Sequence, residues 1–218
     1  PNMFDENDWV QISLKLHGTN ARFGWVLKNK LSLLDKIKKF FFLPFERFEY
    51  TYGSHNVEKG SDTQGFYSTD VWRTIAEKLN IKEKLKEMAS DFEDIGSGIV
   101  IYGEIFGPGI QSNFDYGLKE IHFNVFDITF DGKYLPPDVV YEETISNLEL
   151  EHVPVLYDGY WNKEIQVSFV FNNFTDGTKI PHEGIVIKPF NGERNKVAKV
   201  INPDYTIYSE KNNVSDSH

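Results

Sequence analysis

Trp9-Val10-Gln11-Ile12-Ser13-Leu14-Lys15-Leu16-His17-Gly18-Thr19-Asn20 is the stretch that decides the fold. From Asn7 to His17 polar and apolar side chains alternate. Val10, Ile12, Leu14 and Leu16 fall on one face, and Gln11, Ser13, Lys15 and His17 on the other. A period of two predicts a half-buried β-strand. Its polar face is expected to carry Lys15 and His17 side by side, until Gly18 breaks the strand and lets the backbone come close to a ligand.

Outward from this strand, the pattern changes to helical spacing between Thr69 and Ala89. Trp72, Ile75 and Leu79, then Ile81, Leu85 and Met88, predict one long or two short helices. Strands are expected at Ile99 to Ile105, Ile121 to Phe130, Gln166 to Phe171, Gly184 to Phe190 and Lys196 to Ile201. These segments are rich in β-branched and aromatic residues and are separated by glycine and asparagine turns. Strands outnumber helices and do not alternate regularly with them. This favours an α+β domain with largely antiparallel sheets over a doubly wound parallel sheet. No repeat or linker divides the chain, so one domain is expected over residues 1–209, with a polar, frayed tail over 210–218.

Of the 218 residues, 40% are apolar, 26% charged and 15% aromatic, the balance of a folded globule rather than a disordered chain. The absence of cysteine excludes disulfides, thiolate zinc sites and thiol nucleophiles, in keeping with a reducing compartment. No apolar run approaches the roughly 20 residues that span a bilayer, and Pro1 to Asp8 lacks the parts of a signal peptide. A cytoplasmic setting, or a nuclear one in a eukaryote, is therefore expected, with no membrane partner. A net charge of −10 disfavours indiscriminate binding of nucleic acid, so a polyanion would have to meet a local basic patch. Lys28, Lys30, Lys36, Lys38 and Lys39 form the best candidate, with a solvated loop or helix face as the alternative.

Four clusters join a charged residue to a strand or its edge: Lys15 to Asn20, Tyr102-Gly103-Glu104-Ile105-Phe106-Gly107-Pro108-Gly109, Glu183-Gly184-Ile185-Val186-Ile187-Lys188, and Lys199-Val200-Ile201-Asn202. A lysine that acts as a nucleophile must be neutral. Starting from a reference pKa of about 10.4, half-neutrality near pH 7.4 requires a shift of about 3 units, or roughly 4 kcal/mol. Neighbouring cations or burial supply such shifts. Lys188 and Lys199 are available cations, while Glu104 and Glu183 suit ribose hydroxyls or a metal ion. Taken singly, each of these residues also has a plain structural reading: Lys15, Glu104 and Glu183 as solvated strand residues, Phe126 as core, and Gly107-Pro108-Gly109 as a turn.

The order of the clusters resembles motifs I, III, IV and V of the covalent nucleotidyltransferase superfamily. The wording Lys-x-His-Gly-Thr-Asn with Gly-Glu-x-Phe-Gly-Pro-Gly is similar to RNA ligases of the RNA-editing and double-strand-sealing type. Val125-Phe126-Asp127-Ile128 resembles motif IIIa, so the likeness extends from Trp9 to about Tyr205. It implies the nucleotidyltransferase fold, with flanking helices, and ATP and magnesium or manganese as cofactors. It further implies that Lys15 attacks the α-phosphate to give lysyl-AMP, that AMP passes to a 5′-phosphate end, and that a 3′-hydroxyl displaces it. RNA ends or a nicked duplex would be the partner. By the same resemblance Glu104 would hold the ribose, Phe126 would stack on adenine, Glu183 would hold the metal and Lys199 would neutralise the α-phosphate. His17, Gly18, Asp127 and Lys188 match further nucleotide-binding positions, and Asn20, standing where ligases and capping enzymes often have arginine, would contact phosphate or the reacting hydroxyl.

Three positions depart from the family pattern. Leu14 stands where glutamate is common, Ile201 where motif V has a second lysine, and His55, in Tyr52-Gly53-Ser54-His55-Asn56, where an arginine is usual. A protonated His55 would still bind phosphate. Only 14 residues precede Lys15, which favours ATP over NAD, and about 13 follow Tyr205, either because a domain has been removed or because the ligase is minimal. The competing readings are a minimal DNA ligase, a GTP-using capping enzyme, and a nucleotide- or RNA-binding module that has lost its chemistry.

Overall fold

The computed structural model describes residues 3–54, 58–59, 70–92, 94–162, 164, 169 and 180–214. Of the expected strand Gln166 to Phe171 only Phe169 is described, and it is helical rather than extended; the rest of that segment and the expected phosphate ligand His55 lie outside the described residues. In chain order the strands are β1 (Trp9–Lys15), β2 (Thr19–Leu27), β3 (Phe48–Gly53), β4 (Glu58–Lys59), β5 (Gly98–Phe106), β6 (His122–Phe130), β7 (Lys133–Tyr134), β8 (Glu151–His152), β9 (Val155–Tyr160), β10 (Gly184–Pro189) and β11 (Ala198–Ile201). The helices are α1 (Leu33–Phe40), α2 (Val71–Lys78), α3 (Ile81–Ser90), α4 (Pro137–Glu142) and α5 (Pro203–Asn212). This is the expected α+β architecture: among the described residues β1 with β9 and β10, β10 with β11, β2 with β3, β3 with β4 and β6 with β7 pair antiparallel, and β6 with β8 pairs parallel.

Two compact units form. One comprises Pro1–Asn20, Gly103–Asp127 and Leu135–His218, the other Ala21–Tyr102 and Ile128–Tyr134. In the first, β11-β10-β1-β9 make a four-stranded antiparallel sheet. Val10 and Ile12 of β1, Ile185 and Ile187 of β10 and Ala198 of β11 point to the same side of it, where they pack with Phe4 and Trp161. Burying an aliphatic side chain of this size contributes roughly 1.5–3 kcal/mol, so this layer is what holds β1 in register.

Expectation and structure differ in β1. The strand is buried on both faces, with Gln11 5% and Ser13 4% exposed, rather than half-buried. β1 is an interior strand, with β10 on one side and β9 on the other. Its period-two pattern marks which side meets the apolar core, not which side meets water. Nor does the strand reach His17, for it ends at Lys15.

In the second unit the helical region resolves into α2 and α3. Asn80 between them sits in the left-handed region at φ 53°, a conformation asparagine tolerates and a continuous helix does not contain. Asp70 caps α2 by accepting from the Arg73 N–H. Val71, Trp72, Ile75 and Ala76, then Ile81, Leu85, Met88 and Ala89, are the buried stripes of the two helices. Ala21, Phe23 and Trp25 alternate as the buried face of β2. The basic stretch is a helix, α1, started by a capping box between Ser32 and Asp35.

A helix overlaps the first residues of the expected tail. Asn202 caps α5 by accepting from the Asp204 N–H, with Pro203 in the first turn, and the helix runs through Asn212, past Glu210 where the tail was expected to begin. Among the described residues no helix is long and apolar enough to cross a membrane.

Candidate active site

The register of the four-stranded sheet sets the site. Lys15 is the last residue of β1 and lies opposite Gly184, the first of β10, which brings Glu183 beside it. The Lys15 ammonium donates to a Glu183 carboxylate oxygen, and both side chains are mostly withdrawn from solvent, 23% and 13% exposed. β11 pairs with β10 so that Lys199 faces Val186. Motifs distant in sequence thus converge because three antiparallel strands end at one edge.

The second carboxylate is Glu104, on β5. Burial pushes its pKa up to about 8, and the nearby Glu183 carboxylate adds to the rise; the ammonium groups of Lys15 and Lys199 and the Gly18 N–H oppose it. At neutral pH this carboxyl holds a proton much of the time, and a cation or a set of hydroxyl donors arriving there would favour its release.

Gly18 makes this contact possible. A β-carbon on Gly18 would lie 2.2 Å from the Ile105 carbonyl oxygen, so only glycine lets this loop lie against β5. The close approach expected at Gly18 is therefore met by the chain's own backbone. On the other side Gln111 donates its amide to the Gly18 carbonyl, and Tyr116 accepts the His17 N–H at 2.6 Å. The His17 ring is buried and meets Phe114 edge to face at 5.2 Å and Tyr205 at 5.7 Å. It belongs to the aromatic cluster of Phe106, Phe114, Tyr116 and Tyr205, not to a polar face shared with Lys15. Asn20, half-buried, comes next, near the start of β2.

A second charged cluster lies along β6 and β10. Lys188 donates to Asp127 at 2.8 Å and to the Phe126 carbonyl, while Arg194 reaches the other Asp127 oxygen at 2.9 Å. Burial lowers the pKa of Lys188 and the Asp127 carboxylate holds it up. The Lys188 ammonium stands 5.5 Å from the centre of the Phe126 ring, and Phe126 is only half-buried. Asp127 and Lys188, expected as nucleotide contacts, are bound to each other.

The structure therefore brings together Lys15, Gly18, Glu104, Glu183 and Lys199, and separately Phe126, Asp127 and Lys188. Sequence reasoning passed over Gln111, Tyr116 and Arg194. A glutamine two residues beyond Gly-Pro-Gly gives a weak signal in the sequence, and the structure buries it to 5% exposure; Arg194, in a turn of high polarity, gives none. Among the described residues no group of three or more histidine, aspartate or glutamate side chains could hold a metal ion. Glu104 and Glu183 suit a hard divalent cation that takes its other ligands from phosphate oxygens and water, as magnesium does at nucleotide sites.

A lysine at a strand end, paired to one carboxylate and backed by a second, thus sits within an α+β framework of antiparallel sheets. The RNA ligase family model matches residues 8–201, and the chain belongs to that family. Solved structures agree on the fold. Naegleria gruberi RNA ligase with pyrophosphate is 20% identical with a TM-score of 0.66, over 95% of this chain and 52% of that one. A mutant of the same ligase with ATP and manganese is 19% identical with a TM-score of 0.68, over 94% and 53%. Another mutant, without ligand, is 18% identical with a TM-score of 0.66, over 97% and 59%. The chain thus spans little more than half the length of the Naegleria ligases. A comparison with curated proteins finds no match.

Proposed function

We propose that residues 1–209 act as the adenylation domain of an ATP-dependent RNA ligase of the editing and duplex-sealing type, in a cytoplasmic or nuclear setting. The observation that carries this reading is the Lys15–Glu183 ion pair backed by Glu104, inside a family match over residues 8–201. The Naegleria relatives with ATP, AMP and manganese support ATP and a divalent metal as cofactors.

In the proposed reaction the Lys15 Nζ, freed from Glu183, forms a bond to the α-phosphorus of ATP while the bond to pyrophosphate breaks. The Lys15 ammonium gives up one proton to become the neutral nucleophile and a second as the P–N bond forms, both passing to solvent or to a carboxylate of the site, and lysyl-AMP remains. Lys199 would face the phosphate charge, Phe126 would stack on adenine, Glu104 would orient the ribose, and Glu183, released by Lys15, would hold the metal. That metal would supply charge neutralisation on the phosphates. His17 and Gly18 hold the loop next to Lys15 against the strand that carries Glu104. Asn20 and His55 are proposed for the phosphate side, and Asp127 and Lys188 act by fixing Phe126. The AMP is then transferred to a 5′-phosphate, and a 3′-hydroxyl attacks the resulting anhydride, releasing AMP and forming the phosphodiester.

The test is strand joining of matched RNA and DNA nicks with ATP and magnesium. Sealing of RNA with little sealing of DNA is the expected result. Preferential sealing of DNA indicates the minimal DNA ligase, and nucleotide binding without AMP loading indicates the module without chemistry.

A further inference from the structure

The connection from β2 to β3, residues 28–47, carries six basic side chains against two acidic ones in a chain whose net charge is −10. Its helix α1 is turned inside out. Asp35 faces inward, 9% exposed, and accepts from the Lys28 ammonium at 3.1 Å and from the Ser32 N–H. The opposite stripe, Leu33, Ile37, Phe40 and Phe41 at helical spacing, is exposed, and Lys36 and Lys38 flank it. Lys30, Lys36, Lys38 and Lys39 make no ion pair among the described residues.

The helix end is unusual in a way that points to use. Phe42 adopts a left-handed conformation, φ 56°, and is 96% exposed. Its N–H bonds the Lys39 carbonyl at 3.2 Å, and the Leu43 N–H bonds the Lys38 carbonyl at 2.8 Å. This helix-ending turn normally places glycine at that position, because a β-carbon is strained there. A phenylalanine held at this position, its ring in solvent, has no folding reason to be there.

We propose that this wing binds single-stranded RNA, with Phe40, Phe41 and Phe42 stacking on unpaired bases and Lys30, Lys36, Lys38 and Lys39 meeting the phosphates; the choice of RNA rests on the ligase reading above. Stacked bases use flat faces beside ammonium groups, and that is what the three consecutive phenylalanines at the lysine-bearing end of α1 offer. Lysines on both flanks of the stripe repel a second copy of the same face. An eight-residue helix is short for a membrane anchor, and a lipid surface would gain nothing from the strain at Phe42.

The test is fluorescence anisotropy of the full chain with a labelled oligouridylate, without ATP. Phe42→Gly is expected to bind about tenfold more weakly, while its melting temperature stays level or rises, since strain is relieved. Replacing Lys36, Lys38 and Lys39 together by glutamine is expected to flatten the slope of log affinity against log salt by about 2. AMP loading on Lys15, measured in parallel, is expected to persist in both variants. If the chain never loads AMP but these binding changes appear, the ligase reading fails and the wing stands. Unchanged RNA affinity in Phe42→Gly overturns the proposal. So does loss of binding to phosphatidylglycerol vesicles in that variant while RNA binding persists, which would make the wing a lipid contact.

Discussion

At the scale of single residues, the site depends on how closely Lys15, Glu183, Glu104 and Gly18 are packed. Lys15→Ala is expected to abolish AMP loading and to leave the fold intact, because the ammonium sits at a strand end outside the apolar layer; circular dichroism and intact mass check the two halves. Gly18→Ala should destabilise by about 1–3 kcal/mol through the contact with the Ile105 carbonyl, read by urea denaturation. Lys15, Glu104, Glu183 and Lys199 were legible in the sequence because their order and spacing match a family pattern. His17 was legible as a motif residue but not as a buried ring, since alternation alone cannot show that β1 stops at Lys15 and that Phe114 and Tyr205 pack against the His17 ring.

At the scale of elements, the Asp127 carboxylate couples β6 to β10 and to the turn bearing Arg194. Asp127→Ala would leave the buried Lys188 ammonium without its carboxylate. Breaking such a pair costs about 3–5 kcal/mol, so a large fall in the denaturation midpoint is expected, with AMP loading lost along with stability. A variant as stable as the parent would show that Lys188 is not held by this pair. Strands β1, β5, β6, β10 and β11 were visible because their apolar runs are long or regular. β3, β7, β8 and β9 were not, being short or built of residues such as Glu151-His152 with no periodicity of their own. The sequence around Thr19–Leu27 does alternate, with Ala21, Phe23 and Trp25 inward, and could have been read as β2.

At the scale of the whole molecule, His152 gives a pH signature to folding. Burial pushes its pKa down from 6.5 to about 4, while its Nδ1 bonds the Val153 carbonyl. As pH falls from 6.5 towards 4, the unfolded chain takes up a proton that the folded chain does not. Stability therefore falls over that window, by about 3 kcal/mol in total from this group, and the fall from His152 ends below pH 4. Denaturation midpoints of the parent and His152→Gln, compared at pH 7, 6, 5 and 4, are expected to show a smaller pH dependence in the variant; parallel curves would contradict the assignment. The α+β class and antiparallel pairing were legible from the sequence as a whole. The division into two compact units was not, because β2, β5 and β6 each pass from one unit into the other without a break in pattern.

The most direct test of the central claim is the intact mass of the protein after incubation with ATP and magnesium, with peptide mapping of any adduct. One added AMP, on Lys15 and absent from Lys15→Ala, is the expected result. A folded protein that gains no adduct, or gains it on another lysine, would contradict the account.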